Sequence, residues 1–219
     1  ESTATKPTRT PSRSKITVGA GRDLAQAHRP VILERDGVRV GFVAVDSIGE
    51  SPAATRAKAG TNRLNMPPRT GPLDRAALRR ITSDIRALDK QVDVVIVLTH
   101  WGTQYTHRPE PSQRLAAQEF ADAGADLVIG GHPHWVQGWE MAGSEVVVHS
   151  LGNFVFDMDF QTKTREGIFL EIVIWGDTVR AVEPVPYVID AAFTPRLIRG
   201  SRAERILADV WQTSRGHLR

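Results

Sequence analysis

The sequence predicts a layered α/β fold, in which helices pack against a sheet whose central strands are buried on both faces. Two stretches, 74–98 and 111–129, each place a helical pattern before a short run of apolar, β-branched residues. The nearly continuous apolar run at 92–98 is typical of a strand covered on both sides. A glycine-containing loop with histidine follows each strand, and layered α/β sheets bind ligands beyond the carboxyl ends of their strands. We therefore expect the functional site at that edge.

Composition sets the class of protein and removes several kinds of site. The chain has 219 residues, of which 41% are hydrophobic and 24% charged, as in soluble globular proteins. It contains no cysteine, which excludes disulfides, thiolate metal sites and cysteine nucleophiles. No apolar run approaches the roughly 20 residues that a membrane-spanning helix needs. We expect no membrane span, and we see no signal-peptide pattern in residues 1–15.

The basic charge is concentrated near the start of the chain. Residues 1–80 carry 15 Lys and Arg against 7 Asp and Glu, whereas residues 81–219 carry 13 against 18. Residues 1–15 are rich in Pro, Ser and Thr, and we interpret them as a disordered, linker-like tail. A nucleic-acid-binding arm is the weaker alternative, because the tail has no aromatic residue for base stacking. We therefore expect no nucleic-acid partner.

The first elements lie between residues 16 and 72. A short helical pattern at 24–28 ends before Pro30, since the residue preceding a proline disfavours helical geometry. Two extended stretches, 31–33 and 38–45, flank Asp36-Gly37, which favours a tight hairpin turn. Residues 47–72 contain seven glycines and prolines and predict a long loop, a feature that is often functional.

Predicted helices and strands alternate from residue 74 to 129, and the next three predicted elements are all strands. An amphipathic helix is predicted at 74–90, because four apolar side chains recur at helical spacing: Leu78, Ile81, Ile85 and Leu88. A hairpin turn is expected at Gly176-Asp177. The remaining predicted elements are strand 92–98, helix 111–123, strands 126–129, 146–148, 167–175 and 178–185, and a surface helix at 201–214.

Three histidines follow the two buried strands. His100 follows the first after Thr99, and His132 and His134 follow the second beside two glycines. On an extended loop, side chains alternate, so a His-x-His pair offers one imidazole to each of two metals more readily than both to one. The pattern therefore indicates a histidine metal site. Ordinary hydrogen-bonded loop histidines remain the alternative.

Other candidate sites have less support from the sequence. A Ser-His-Asp hydrolase is disfavoured, because the chain has no Gly-x-Ser-x-Gly elbow and Ser150 lacks those surroundings. His149 continues a strand, and we expect it to be packed or hydrogen-bonded. His28, His107 and His217 also lack the glycine-rich setting.

The motifs around the three histidines occur in a characteristic order. They are Thr99-His100-Trp101-Gly102 with Tyr105, Gly130-Gly131-His132-Pro133-His134, and Ser150-Leu151-Gly152-Asn153-Phe154 with Phe156-Asp157. This series resembles the bacterial capsule-biosynthesis protein CapA family, also called poly-gamma-glutamate biosynthesis proteins, of the calcineurin-like metallophosphoesterase superfamily. The resemblance covers roughly residues 16–190. It implies a layered αββα metallophosphoesterase-type sandwich, of which this chain carries the second half and a C-terminal helix.

The resemblance also implies a site, a substrate class and a location. His100 and His132 resemble ligands to one metal of a two-metal centre, and His134 resembles a ligand to the other, with Mn, Zn or Fe as the ion. Three further residues are expected to support the ligands or line the substrate: Trp101, Tyr105 and Asn153. The implied partners are an anionic polymer or phosphoester substrate and envelope biosynthesis proteins. The implied location is the cell surface or another extracytoplasmic compartment.

The chain departs from the family pattern in two ways. Gln104 stands where the family usually has an acidic residue. The Gly-Asp and Asn-His segments of the superfamily are not found in residues 1–98, and Asp46, although it follows a strand, has no such surroundings. We therefore interpret 16–190 as the domain without its N-terminal part, and 191–219 as an extension. We expect the chain to bind one metal weakly or none, so a non-catalytic scaffold or polymer-binding subunit stays open beside a metallophosphoesterase.

Overall fold

A computed structural model describes residues 17–216, so the predicted tail at 1–15 and His217 lie outside the described part. Within it the elements are β1 (Ala20–Gly21), α1 (Leu24–His28), β2 (Val31–Arg35), β3 (Val38–Asp46), β4 (Gly60–Thr61), α2 (Arg75–Asp89), β5 (Val94–His100), α3 (Pro111–Ala121), β6 (Leu127–Gly131), β7 (Trp139–Ala142), β8 (Glu145–Val148), a 3₁₀ turn (Thr162–Arg165), β9 (Glu166–Trp175), β10 (Thr178–Ile189), β11 (Pro195–Leu197) and α4 (Ser201–Thr213).

The larger sheet has six strands in the order β2-β3-β5-β6-β8-β7. The inner strands β3, β5, β6 and β8 run parallel, and the outer strands β2 and β7 pair antiparallel. Residues Val94–Val97 of β5 are at most 4% exposed, which confirms the prediction of a strand buried on both faces.

Helices α2 and α3 cover one face of this sheet. The carboxylate of Asp74 caps α2 by accepting hydrogen bonds from the backbone N–H groups of Ala76 and Ala77, both at 2.9 Å. All four apolar residues predicted for its buried face are at most 3% exposed. They pack with residues of β3, β5 and α3 in one core cluster.

A three-stranded sheet, β11-β10-β9, covers the other face. Ile172 and Ile174 of β9 pack against a cluster formed by Val94, Ile96 and Leu127 of the larger sheet. Helix α4 contributes Ile206 and Val210 to a further cluster that includes residues of both sheets. The layered α/β fold with two sheets is therefore confirmed.

Two short edge strands, β7 and β11, are not indicated by the sequence patterns. β7 has the sequence Trp-Glu-Met-Ala, without β-branched residues, and becomes a strand by pairing with β8 across the turn at Gly143. β11 begins with a proline and pairs with the end of β10. In the predicted 47–72 loop, Gly60–Thr61 pairs with β1. No helix among residues 17–216 is long and apolar enough to cross a membrane.

Candidate functional site

The carboxyl ends of the parallel strands bring the candidate residues to one edge of the larger sheet. In the parallel register, Asp46 at the end of β3 lies beside His100 at the end of β5. His100 in turn lies beside Gly131 at the end of β6, directly before His132. The loop after β8 carries Asn153 to the same edge, where its side chain reaches His134. The predicted position of the site is therefore the position where these side chains meet.

The three predicted histidines form one cluster. The ring centroids of His100 and His132 are 4.9 Å apart, and those of His132 and His134 are 5.6 Å apart. The imidazole of His132 thus has the other two as neighbours. Within residues 17–216, however, no three side chains of His, Cys, Asp or Glu are grouped so that they could hold a metal ion.

The loop that carries His132 and His134 is not extended, contrary to the expectation that its side chains alternate. Both histidines have positive φ angles, 97° and 62°. Tyr105, across the site, has φ 60°. Left-handed backbone costs a side-chain-bearing residue about 1–3 kcal/mol and is concentrated at functional sites. The turned backbone, rather than strand alternation, determines where the two imidazoles lie.

The ring of His134 is held in one orientation by its neighbours. Its Nδ1 lies 2.7 Å from Oδ1 of Asn153, whose Nδ2 donates to the carbonyl of Thr164 at 2.9 Å. Because this amide uses its N–H toward Thr164, its oxygen faces the histidine, and we assign the proton to Nδ1. Nε2 then carries the lone pair and lies 3.4 Å from the amide nitrogen of Gln104. Tyr105 stacks on the ring with a centroid distance of 5.8 Å.

The imidazole of His132 is buried and lacks a protein partner at one nitrogen. The residue is 6% exposed, and its Nε2 has no hydrogen-bond partner among the described residues. Burial, together with the nearby His100, His134 and Arg69, lowers the pKa of His132 to about 4. The ring is therefore neutral at pH 7, which is the form that binds metals.

His100 lies next to an acidic residue that sequence reasoning set aside. Burial lowers the pKa of His100, and the charges of Asp46 and Glu50 act in the opposite direction. The Asp46 carboxylate accepts hydrogen bonds from the Ile48 N–H at 2.8 Å, the Thr61 hydroxyl at 2.8 Å and the Arg63 guanidinium at 3.0 Å. Burial alone would raise its pKa, but these bonds outweigh that effect and keep the pKa of Asp46 below its usual value.

Trp101 lies in the core rather than beside the imidazoles. It is 1% exposed and belongs to the cluster under α2 and α3. Its Nε1 donates to the His149 carbonyl at 2.9 Å. The structure thus brings Tyr105 and Asn153 to the histidine cluster and places Trp101 behind it, where it joins β5 to the segment after β8.

Other residues at this edge were not predicted as site residues. Phe156 lies 5.7 Å from the ring of His134, and Phe160 lies 5.6 Å from that of Tyr105. Both phenyl groups are exposed, at 43% and 60%. A cavity of about 340 Å³ adjoins His100 and is lined by Asp46, Glu50, Ser51 and Thr61, among others. Asp46 could have been predicted from the sequence, because it follows the predicted strand 38–45 as His100 follows the predicted strand 92–98.

The imidazoles fit a metal ion as donors, although the described residues do not complete a site. His132 offers a buried nitrogen without a partner. The ring of His134 is fixed by a hydrogen bond to the Asn153 amide at its other nitrogen, and metal-ligating histidines commonly have such a bond. The acidic residue beside them, Asp46, is already paired with Arg63. The donor set in residues 17–216 is therefore nitrogen-rich and short of available carboxylates.

The positive φ of His132 has a measurable effect on stability. We expect the His132→Gly variant to be more stable than His132→Ala by about 1 kcal/mol, because glycine adopts left-handed backbone without the Cβ clash. Both variants lose the imidazole, so the difference between their free energies of unfolding comes from the backbone conformation at residue 132. Urea unfolding of the two variants measures it, and equal midpoints would contradict it.

Comparisons with known proteins place this arrangement in a family. The bacterial capsule synthesis protein PGA_cap family matches residues 9–158. The chain is 31% identical over 170 residues to "Capsule biosynthesis protein CapA" of Bacillus anthracis, with 77% of this chain and 39% of that protein covered. It is 30% identical over 182 residues to "PGA biosynthesis protein CapA" of Bacillus subtilis, with 83% and 45% covered.

The chain thus spans less than half the length of the curated relatives that it matches. Among solved structures, a putative 5'-nucleotidase from Staphylococcus aureus in complex with alpha-ketoglutarate aligns with a TM-score of 0.47 and 13% identity, over 86% of this chain and 35% of that one. The family match covers most of the chain and includes all three clustered histidines. The chain belongs to the bacterial capsule synthesis protein PGA_cap family.

Proposed function

We propose that His100 and His132 are imidazole ligands to one ion of a two-metal centre, and His134 a ligand to the other, for phosphoester chemistry in capsule or poly-gamma-glutamate biosynthesis. The observation that carries the proposal is the buried Nε2 of His132, which has no protein partner and lies in a cluster of three imidazoles. A neutral imidazole nitrogen without a protein partner is available to a metal. The relatives' names, which refer to capsule and PGA biosynthesis, support the biological role.

The chain's own residues prepare the imidazoles for this role. Asn153 holds the proton of His134 at Nδ1, and the hydroxyl of Tyr187 donates to the Asn153 carbonyl, which fixes the loop. Tyr105 limits rotation of the His134 ring by stacking on it. A bound Mn, Zn or Fe ion would supply Lewis-acid chemistry toward a phosphoryl oxygen.

The substrate and the location are part of the same proposal. An anionic polymer or a phosphoester would enter beside His100, where the cavity offers the hydroxyl group of Ser51. The protein would act at the bacterial cell envelope with other envelope biosynthesis proteins. The relatives named for capsule biosynthesis support this setting, because a capsule is a surface polymer.

Metal content and phosphodiesterase activity test the proposal together. We expect the 219-residue chain, purified with Mn²⁺ or Zn²⁺, to lose metal when His100, His132 or His134 is replaced by alanine. Hydrolysis of bis-p-nitrophenyl phosphate, where it is detected, should fall at least 100-fold in the same variants. His107→Ala is the matched control, since that imidazole lies against the Val136 carbonyl at 2.7 Å. Metal content unchanged by all three substitutions would overturn the assignment.

A second candidate function is a scaffold or polymer-binding subunit without catalysis. It is favoured by the absence, within residues 17–216, of three potential ligands grouped for a metal ion. The pairing of Asp46 with Arg63 points the same way. The same three alanine variants distinguish the two candidate functions. A scaffold would retain polymer binding in all three variants, and neither the wild-type chain nor any variant would hydrolyse the phosphodiester.

A further inference from the structure

A second concave site lies away from the strand ends, between α1 and α2. It has a volume of about 520 Å³, larger than the cavity beside His100. Helix α1 provides Leu24, Ala25 and His28, and α2 provides Arg80, Ser83 and Asp84. Arg56 reaches it from the loop between β3 and β4. None of the residues assigned to the histidine cluster lines this pocket.

The pocket contains an imidazole held by a carboxylate. Nδ1 of His28 lies 2.6 Å from Oδ2 of Asp84, across 56 residues of sequence. The side chain of His28 is 16% exposed, so the ring is largely enclosed. With Nδ1 engaged by the carboxylate, Nε2 is left without a hydrogen-bond partner among the described residues. This arrangement presents one oriented polar group to a ligand.

Two guanidinium groups line the pocket and are not used by the fold. Both Arg56 and Arg80 are exposed, and neither forms an ion pair or a side-chain hydrogen bond with any residue in 17–216. The acidic groups of the pocket, in contrast, are occupied. Asp23 accepts the Gln26 N–H at 2.8 Å as the cap of α1, and Asp84 is bound to His28. The available hydrogen-bonding capacity is therefore cationic and donates to oxygen atoms.

We propose that this pocket binds a carboxylate group of an anionic polymer, with Arg56 and Arg80 as its charged ligands and His28 lying beside them in the pocket. Guanidinium groups pair with carboxylates through two parallel hydrogen bonds, which makes them suited to planar anions. Leu24 and Ala25 supply an apolar wall for the methylene groups that separate the carboxylates of such a polymer.

The choice of polymer rests on the proposed function, because a poly-gamma-glutamate chain carries one carboxylate on every residue. A binding pocket remote from the histidine cluster would hold a long chain while another part of it reaches the strand ends. The pocket itself does not depend on metal, so it is testable when the histidine cluster holds none. Failure of the metal proposal and failure of the pocket proposal are thereby separable.

Calorimetric titration of the full chain with a gamma-glutamate decamer, in the presence of EDTA, tests the pocket. We expect saturable binding that weakens at least tenfold in the Arg56→Gln/Arg80→Gln variant. The matched control is Arg75→Gln/Arg79→Gln, which removes the same charge from exposed positions of α2 that do not line the pocket. We expect the control to weaken binding less than threefold.

A second readout follows the site directly. The imidazole resonances of His28 should shift on addition of the decamer to the wild-type chain and remain unshifted in the Arg56→Gln/Arg80→Gln variant. Equal weakening in both arginine variants would overturn the pocket, because it would show unspecific charge attraction. Inorganic phosphate that shifts His28 while the decamer does not would also overturn it, since the ligand would then be a phosphate and not a carboxylate.

Discussion

Replacing Gly130 by alanine is expected to destabilise the protein by at least about 3 kcal/mol, in the range that severe overpacking of a core reaches. A β-carbon on Gly130 would lie 2.0 Å from the backbone oxygen of His149 and 2.5 Å from Nε1 of Trp101. These two atoms are hydrogen-bonded to each other at 2.9 Å and are buried. Neither can move without breaking that bond or separating β6 from the segment after β8.

The effect should reach the candidate site, because Gly130 is two residues before His132. We expect the variant to lose metal or polymer binding at the strand ends along with stability. A loss of about 3 kcal/mol corresponds to a fall in Tm of about 6–12 °C for a chain of this size. Thermal and urea unfolding measure both quantities.

The neighbouring glycine provides the control. A β-carbon on Gly131 would meet only the Thr99 backbone oxygen, at 4.0 Å, and Gly131 does not have a positive φ. Gly131→Ala is therefore expected to change the free energy of unfolding by less than about 1 kcal/mol. Similar losses in the two alanine variants would show that the contact behind Gly130 is not the cause.

The two glycines also show what the sequence could and could not predict. Their position after a β-branched run predicted a loop, whereas the structure includes both glycines in β6. Only the structure shows that the close approach belongs to Gly130 and comes from His149 and Trp101, 48 residues apart. A pairing over that distance depends on which strands are neighbours, and local patterns do not contain that information.

The fold was predictable where elements have their own periodicity. Helix α2 shows its buried face through four apolar residues at helical spacing, and β5 shows its burial through an apolar run. β7 was not predictable in this way, because Trp-Glu-Met-Ala has no β-branched residue and its pairing with β8 decides its conformation. Sequence reasoning thus lost accuracy at one edge of each sheet, at β7 in the larger and at β11 in the smaller.

The candidate site was predictable in its position and only partly in its membership. His100, His132 and His134 follow strand ends, and the parallel register brings strand ends together. Asp46 obeys the same rule, yet it was set aside because its neighbours in sequence match no motif. Its proximity to His100 comes from the pairing of β3 with β5. The turned backbone at His132 was also unreadable, since a side-chain-bearing residue gives no local sign of positive φ.

Acidification is expected to destabilise the protein through His149, which lies at the back of the site. This imidazole is 0% exposed, and burial, with a contribution from Arg114, lowers its pKa to about 3 from an ordinary value of 6.5. Glu140 lies 2.8 Å from Nε2, but the same carboxylate is bound to Arg114, which already supplies the compensating positive charge. A protonated His149 would add a second cation to a buried pair, so we expect the ring to be neutral in the folded protein.

The direction of the pH effect on stability follows from the pKa of His149 in the unfolded chain and in the folded protein. In the unfolded chain His149 takes up a proton below pH 6.5, whereas the folded protein resists protonation down to about pH 3. The contribution of the neutral ring to stability is therefore complete above pH 6.5 and is lost progressively as the pH falls toward 3. At about 1.4 kcal/mol per pH unit, the loss from His149 alone reaches about 2 kcal/mol at pH 5.

Urea unfolding at pH 7 and pH 5, in the wild-type chain and in His149→Gln, measures this loss. Glutamine keeps a polar side chain of similar length but does not titrate, so the variant should be less stable at pH 7 and should lose about 2 kcal/mol less on acidification. Imidazole resonances provide an independent check if the variant folds poorly: those of His149 should remain in the neutral form at pH 5. A wild-type chain whose stability rises on acidification would instead mean that Glu140 holds His149 as a cation, with Arg114 as its competitor for the carboxylate.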